Sequence, residues 1–200
     1  MESARNELLE FWFGDEEDDV RTGESQSRLW WGQSSETDDL LGARFGQAAS
    51  AAAAGTLDHW TGSPHGRLAL ILLLDQLPRV IHRGMPGAFA QDEKARHLAN
   101  LGLDSGADRL LRPIERVFLY LPFEHSEDRA DQQRSVELFK GLADEVPEGW
   151  RKTFDAYVDF AIRHQRIVDR FGRFPHRNAI LGRESTPEEV EFLKEPGSGF

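Results

Sequence analysis

Apolar residues recur along this chain at intervals of three and four, and the single alternation that marks a half-buried strand is absent. Leu8, Leu9, Phe11, Trp12 and Phe13 gather at helical spacing ahead of Gly14, which suits a C-terminal stop. An acidic loop with Gly and Ser follows, then a short aromatic segment at Leu29, Trp30 and Trp31. Ser35 is placed to cap a helix from Glu36 through Leu40, Leu41, Phe45 and the small-residue run 48–54, ending at Gly55. Ser63 and Pro64 read as N-cap and first helical position of the most apolar helix, 68–74. A helix apolar on every side belongs in the centre of a fold. Pro78 removes a backbone donor from that helix, so it should kink or tighten near Leu77 and finish by Gly84.

The same punctuation continues downstream. Pro86 opens a helix through Phe89, Ala95, Leu98 and Leu101 to Gly102, and Pro113 opens another over 114–120 that should stop before Pro122. Ser126 reads as the cap of a helix to about residue 145, with Val136, Leu138, Phe139 and Leu142 inside. Pro147 opens a long helix in which Trp150, Phe154, Tyr157, Val158, Ala161, Ile167, Val168 and Phe171 keep the helical period as far as Gly172. Thr186, Pro187 and Glu189 supply cap, first position and capping-box acid for a last short helix. The expected fold is all-α: a single domain over 1–200, an antiparallel array or bundle of about eight or nine helices.

Composition narrows the classes of function. A chain of 200 residues should bury roughly 70% of its extended surface, enough to fold without a metal or disulfide. It contains no cysteine, which removes thiolate chemistry and fits a reducing compartment. A net charge of −11 argues against nucleic acid and anionic membranes as partners. The first residues lack the pattern of a secretory signal, and the run 68–74 is too short to span a bilayer, so a cytoplasmic location is expected.

The distribution of charge says more than its sum. Residues 1–40 carry twelve acids against three arginines, whereas 163–183 carry six arginines against Asp169. Twenty of the 24 basic residues are Arg, whose planar fork suits carboxylate and phosphate. The basic stretch is therefore either an anion site or the internal partner of the acidic ones.

Three segments set polar residues in apolar surroundings. Asp75 follows seven apolar residues and stands four before Arg79, so a buried carboxylate with a paired arginine is expected there, with His82 and Arg83 at the helix end. Glu124 and His125 precede a helix start with Asp128 and Asp131 nearby, a pattern that fits either capping or an acid/base pair. Gly172 and Pro175 fix a backbone from which Arg173, His176, Arg177 and Asn178 project as a fan of donors, toward an anion or toward helix-end carbonyls.

These segments carry a family resemblance. Leu74-Asp75-Gln76-Leu77-Pro78-Arg79 with Arg83-Gly84 and Ala88-Phe89-Ala90, then the block 115–127, then 170–178 with 181–186, resemble the signature blocks of the bacterial family called domain of unknown function 924. Phe11-Trp12-Phe13-Gly14 and Arg44-Phe45-Gly46 extend the similarity over nearly the whole chain, although Val80 and His82 stand where that family usually has Asn and Tyr. The resemblance implies a helical fold similar to tetratricopeptide repeats and no established activity.

The leading expectation is that the three segments converge on one polar pocket. Asp75, Arg79, Arg173, Arg177 and Asn178 would hold a small anionic ligand, while Glu124, His125 and His176 act on it by general acid/base chemistry, hydrolysis being the simplest version. Trp30, Trp31 and the acidic N-terminal segment are candidates for its cover, and the two tryptophans also for a dimer patch. Two alternatives stand beside it. One is a module whose helical groove takes a protein or peptide partner, and the other a metal-dependent enzyme using His125, His164 or His176. No cofactor motif is legible.

Overall fold

The apolar run 68–74 has no solvent exposure at any position, and the other helices are arranged around it. The computed structural model describes residues 2–199. Every regular element among them is helical: α1 (Glu2–Phe13), α2 (Asp19–Trp31), α3 (Ser35–Ala53), α4 (Pro64–Ile71), α5 (Leu77–Ile81), α6 (Asp92–Asp104), α7 (Pro113–Glu124), α8 (Arg129–Glu145), α9 (Arg151–Phe171) and α10 (Pro187–Phe192). Short 3₁₀ turns fill several of the joints. No helix among the described residues is long and apolar enough to cross a membrane.

Helix α4 packs on α1, α6 and α7, α3 packs on α5, and α7, α8 and α9 follow one another as neighbours. Each fully buried aliphatic side chain of the 68–74 run contributes about 1.5–3 kcal/mol. That burial makes α4 the part of the fold best able to hold a polar group away from water.

Pro78 acts as expected, through a particular device. Between α4 and α5 the chain forms one π-helical turn, Leu72–Gln76, in which the Leu77 N–H donates to the Leu72 carbonyl. In a regular α-helix the Pro78 ring would press against the carbonyl of residue 74. The wider turn relieves that clash and lets the helix continue to Ile81. Asp75 and Gln76 lie inside it.

Several boundaries differ from the sequence reading. The acidic segment is helical: Asp18 accepts from the Val20 and Arg21 N–H groups and starts α2, which Gly23 does not break. Helix α3 is capped by Ser34 instead of Ser35, and α6 begins only at Asp92, after a 3₁₀ turn at Pro86–Phe89. Helix α7 runs through Pro122, which removes the donor to the Phe118 carbonyl only two residues before the helix ends at Glu124. Asp128, not Ser126, caps α8, since the Ser126 hydroxyl donates to Asp131 at 2.7 Å. Trp30 is buried with Trp12, Phe13 and Phe118, and its indole N–H donates to the Trp12 carbonyl at 2.9 Å. Trp31 is 50% exposed and stacks on Phe118. Both tryptophans therefore serve the joint between α2 and α7.

Asp19 fastens that joint. Buried at the start of α2, its carboxylate accepts from Arg112 at 2.6 and 2.8 Å and from the Ile114 N–H at 3.1 Å. Asp19→Ala removes the acceptor of the Ile114 N–H and the main partner of Arg112, which keeps Thr22 and partial solvent access, so it should cost about 2–3 kcal/mol. Urea unfolding followed by circular dichroism checks this, and a loss below about 1 kcal/mol would show that the joint does not depend on the pair.

Candidate functional site

The Asp75 carboxylate has no solvent exposure, and each of its oxygens is engaged. Oδ1 lies 2.8 Å from His125 Nδ1 and 3.2 Å from Arg79 Nη1, while Oδ2 accepts from the Gln76 amide at 2.6 Å. The π turn delivers Asp75, and the C-terminal end of α7 delivers His125, whose backbone N–H closes the helix on the Leu121 carbonyl.

Arg79 extends the cluster toward α6. Its guanidinium donates to the Asp75 carbonyl at 2.6 Å and forks onto both oxygens of Asp92 at 2.9 Å. Asp92 in turn faces Arg177, whose Nη1 stands 3.7 Å from Asp92 Oδ2. Arg177 is only 6% exposed, and its plane lies between Phe89 and Phe174 at 4.6 and 4.5 Å from the ring centres. Its Nε is buried without a hydrogen-bond partner.

Glu124 and His164 form the remaining wall. Glu124 Oε1 lies 3.2 Å from His164 Nδ1, which donates its proton to the Phe160 carbonyl at 2.9 Å because a carbonyl can only accept. The rings of His125 and His164 are 6.4 Å apart, and Phe174 stands between His164 and His176 at 5.6 and 5.7 Å.

Proton affinities in this cluster are driven apart. Burial opposes a charge on Asp75, but Arg79 and His125, with the Gln76 hydrogen bond, outweigh it and hold the carboxyl well below the usual range. For Glu124 burial acts first and the Asp75 charge adds to it, raising its pKa to about 8. Burial and Arg79 lower His125 against the pull of Asp75. Burial and then Arg177 push His176 down to about 4, and burial takes His164 well below the ordinary value. At neutral pH the cluster therefore holds a charged Asp75, a protonated Glu124 and neutral imidazoles. The two buried carboxyls thus differ in protonation.

Not every expected residue is here. Asp75, Arg79, Glu124, His125, His176 and Arg177 come together, whereas Arg173 and Asn178 turn to the C-terminal segment. Arg173 forks onto Glu189 at 2.7 and 2.8 Å and reaches the Glu184 carbonyl, and Asn178 bonds Ser185, Glu189 and Arg183. Glu127 serves the same loop. Its carboxylate accepts from the Phe174 N–H at 2.8 Å and from both ends of the Arg183 fork, clamping the 172–178 loop to the end of α7. The sequence reading missed Asp92, which looks like an ordinary first-turn acid, and Phe89, whose contact with Arg177 spans most of a hundred residues.

Two surface cavities lie elsewhere and contain none of these polar side chains. One, of about 390 Å³, is lined by Asp108, Arg116, Tyr120 and Arg134, and the other, of about 400 Å³, by Ala49, Leu73, Pro78 and Ile81. Among the described residues no three His, Asp or Glu side chains are grouped to hold a metal ion.

Residues 8–197 match the family described as a bacterial protein of unknown function, DUF924. A solved structure of a protein of unknown function from Agrobacterium tumefaciens is similar over 98% of this chain and 99% of that one, with 37% identity and a TM-score of 0.82. Among curated proteins none matches.

The Glu124 proton has a measurable consequence. Between pH 4.5, where an unperturbed carboxyl titrates, and about 8, the folded chain keeps a proton that the unfolded chain releases. The folded state binds more protons in that window, so this group's contribution falls as pH rises through it. Glu124→Gln removes the titration. The stability of Glu124→Gln relative to wild type should climb from pH 5 to pH 8 by up to roughly 1.4 kcal/mol per unit, and parallel denaturation curves across that range would refute a protonated Glu124.

Proposed function

The chain belongs to the bacterial DUF924 family of unknown function, and from its buried cluster we propose that it binds a small anionic metabolite and hydrolyses it by general acid/base chemistry. One observation carries the reading. Arg177 is a buried cation whose position is fixed by two aromatic rings, whose nearest acid is already forked by Arg79, and whose Nε has no acceptor. Its pKa drops to about 10, through burial first and Arg79 second. A buried charge held so far from full compensation is relieved by an incoming anion.

The candidate acid and base belong to the same cluster. Asp75 accepts a hydrogen bond from His125 Nδ1–H, which fixes the tautomer and leaves the Nε2 lone pair to draw a proton from water. Glu124 holds a proton to give to the leaving group. The side chains of His125 and Arg79 keep 14% and 19% exposure, and a ligand would enter along that edge.

Thermal-shift screening against phosphate and carboxylate metabolites tests the reading, with wild type beside Arg177→Ala and His125→Ala. A ligand at a hundred times its dissociation constant should stabilise wild type by about 2.7 kcal/mol, several degrees in melting temperature, and both variants should fold yet lose the gain. If no ligand stabilises wild type and both variants unfold, the cluster is architectural.

A further inference from the structure

We propose that the anion is a phosphate monoester and that His125 Nε2 attacks its phosphorus, forming a phosphohistidine. This inference rests on the anion-site reading above, specifies its substrate class, and gives His125 the role of nucleophile in place of that of base.

The neighbourhood of His125 offers no better nucleophile. The chain has no cysteine, and the adjacent Ser126 hydroxyl is committed, donating to Asp131 at 2.7 Å and accepting from the Asp128 N–H at 3.2 Å. His125 is held as a nucleophilic imidazole must be. Asp75 fixes the proton on Nδ1, leaves the lone pair on Nε2, and supplies a negative charge for the ring once Nε2 bears a phosphoryl group. A carboxylate ligand carries one negative charge, whereas the phosphoryl group of a monoester carries up to two and suits a pair of arginines. Arg177 Nε is the donor left without an acceptor, and Arg79, joined to it through Asp92, adds the second positive charge, with Phe89 against both guanidinium groups and Phe174 against Arg177. Monoesters of ordinary alcohols also need a proton on the departing oxygen. Glu124 is the buried acid next in sequence to the nucleophile.

The steps balance without an oxidant or a further reactant. In the first, the Nε2 lone pair forms the P–N bond, the P–O ester bond breaks, and the departing oxygen takes the Glu124 proton to leave as an alcohol. In the second, a water oxygen attacks phosphorus and its proton returns to Glu124. The P–N bond breaks with its electron pair going back to Nε2, and inorganic phosphate departs. The Nδ1 proton stays on the ring throughout, shared with Asp75.

The test uses p-nitrophenyl phosphate as substrate and inorganic phosphate as binding probe. Because p-nitrophenolate leaves without a proton, Glu124→Gln still undergoes the first step but lacks the base for the second. It should therefore accumulate one phosphoryl group per chain, stable in alkali, lost in acid, and visible by intact mass after an alkaline quench. Wild type should turn over, and folded His125→Asn should lose turnover by about a thousandfold or more and carry no adduct. Stabilisation of wild type by phosphate through Arg177, with neither turnover nor adduct, would overturn the phosphomonoester inference and leave the anion site standing. Turnover with no adduct in Glu124→Gln would overturn the nucleophile, with water attacking directly. No Arg177-dependent stabilisation by phosphate or any carboxylate, with no turnover, would remove the underlying reading together with this one.

Discussion

A carboxylate with no access to water, placed in the most apolar helix of the chain, is the constraint on which the arrangement depends. Asp75 cannot sit there alone, because an unpaired buried charge costs several kcal/mol and would protonate or unfold its surroundings. Its partners come from one turn along the helix, Arg79, and from the end of α7, His125. Arg79 then needs a second acid, which draws in Asp92, and Asp92 brings Arg177 and the loop that carries it. The negative charge retained on Asp75 also helps keep the proton on Glu124. One buried charge thus adds to the burial that keeps its neighbour protonated and ties together three chain segments.

A second set of carboxylates holds the loop from outside. Glu127 clamps the Phe174 N–H and Arg183, and Glu189 takes Arg173 while capping α10 through Thr186. Arg173 holds the Glu189 carboxyl down to about 2, so this support persists at any pH where the cluster could work. The basic stretch 163–183 accordingly divides. Arg170, Arg173 and Arg183 pair with acids of their own chain, and Arg177 alone of these four points inward to the cluster. The acidic N-terminal region likewise pairs internally, Glu7 with Arg44, Asp38 with Arg83 and Asp19 with Arg112.

Much of this was legible in the sequence, for reasons that differ by residue. Ser63-Pro64, Gly172 and Thr186-Pro187 declare their roles locally, since a cap, a left-handed stop and a capping box depend on a few adjacent residues. Burial of Asp75 followed from the seven apolar residues before it. Helix α2 was hidden because Gly23 and its many polar residues weaken the apolar period, and only the packing of Trp30 on Phe118 reveals its inner face. The partition between Arg177 and Arg173 was not readable at all. Four positions apart in one loop, they differ only in which distant acids they meet, Asp92 for one and Glu189 for the other.

The π turn at Leu72–Gln76 amounts to one residue inserted into an otherwise continuous helix. One residue is about 100° of rotation, so everything after the insertion faces a different direction from the phase set by α4. Upstream, that phase turns Leu68 and Leu70 into the core, and downstream Arg79 reaches toward α6. Were the same residues wound as regular α-helix, Arg79 would swing about 100° away from Asp92 while every apolar side chain of α4 kept its place. The wide turn at 72–76 is therefore as strict a requirement of this cluster as the identities of its charged members.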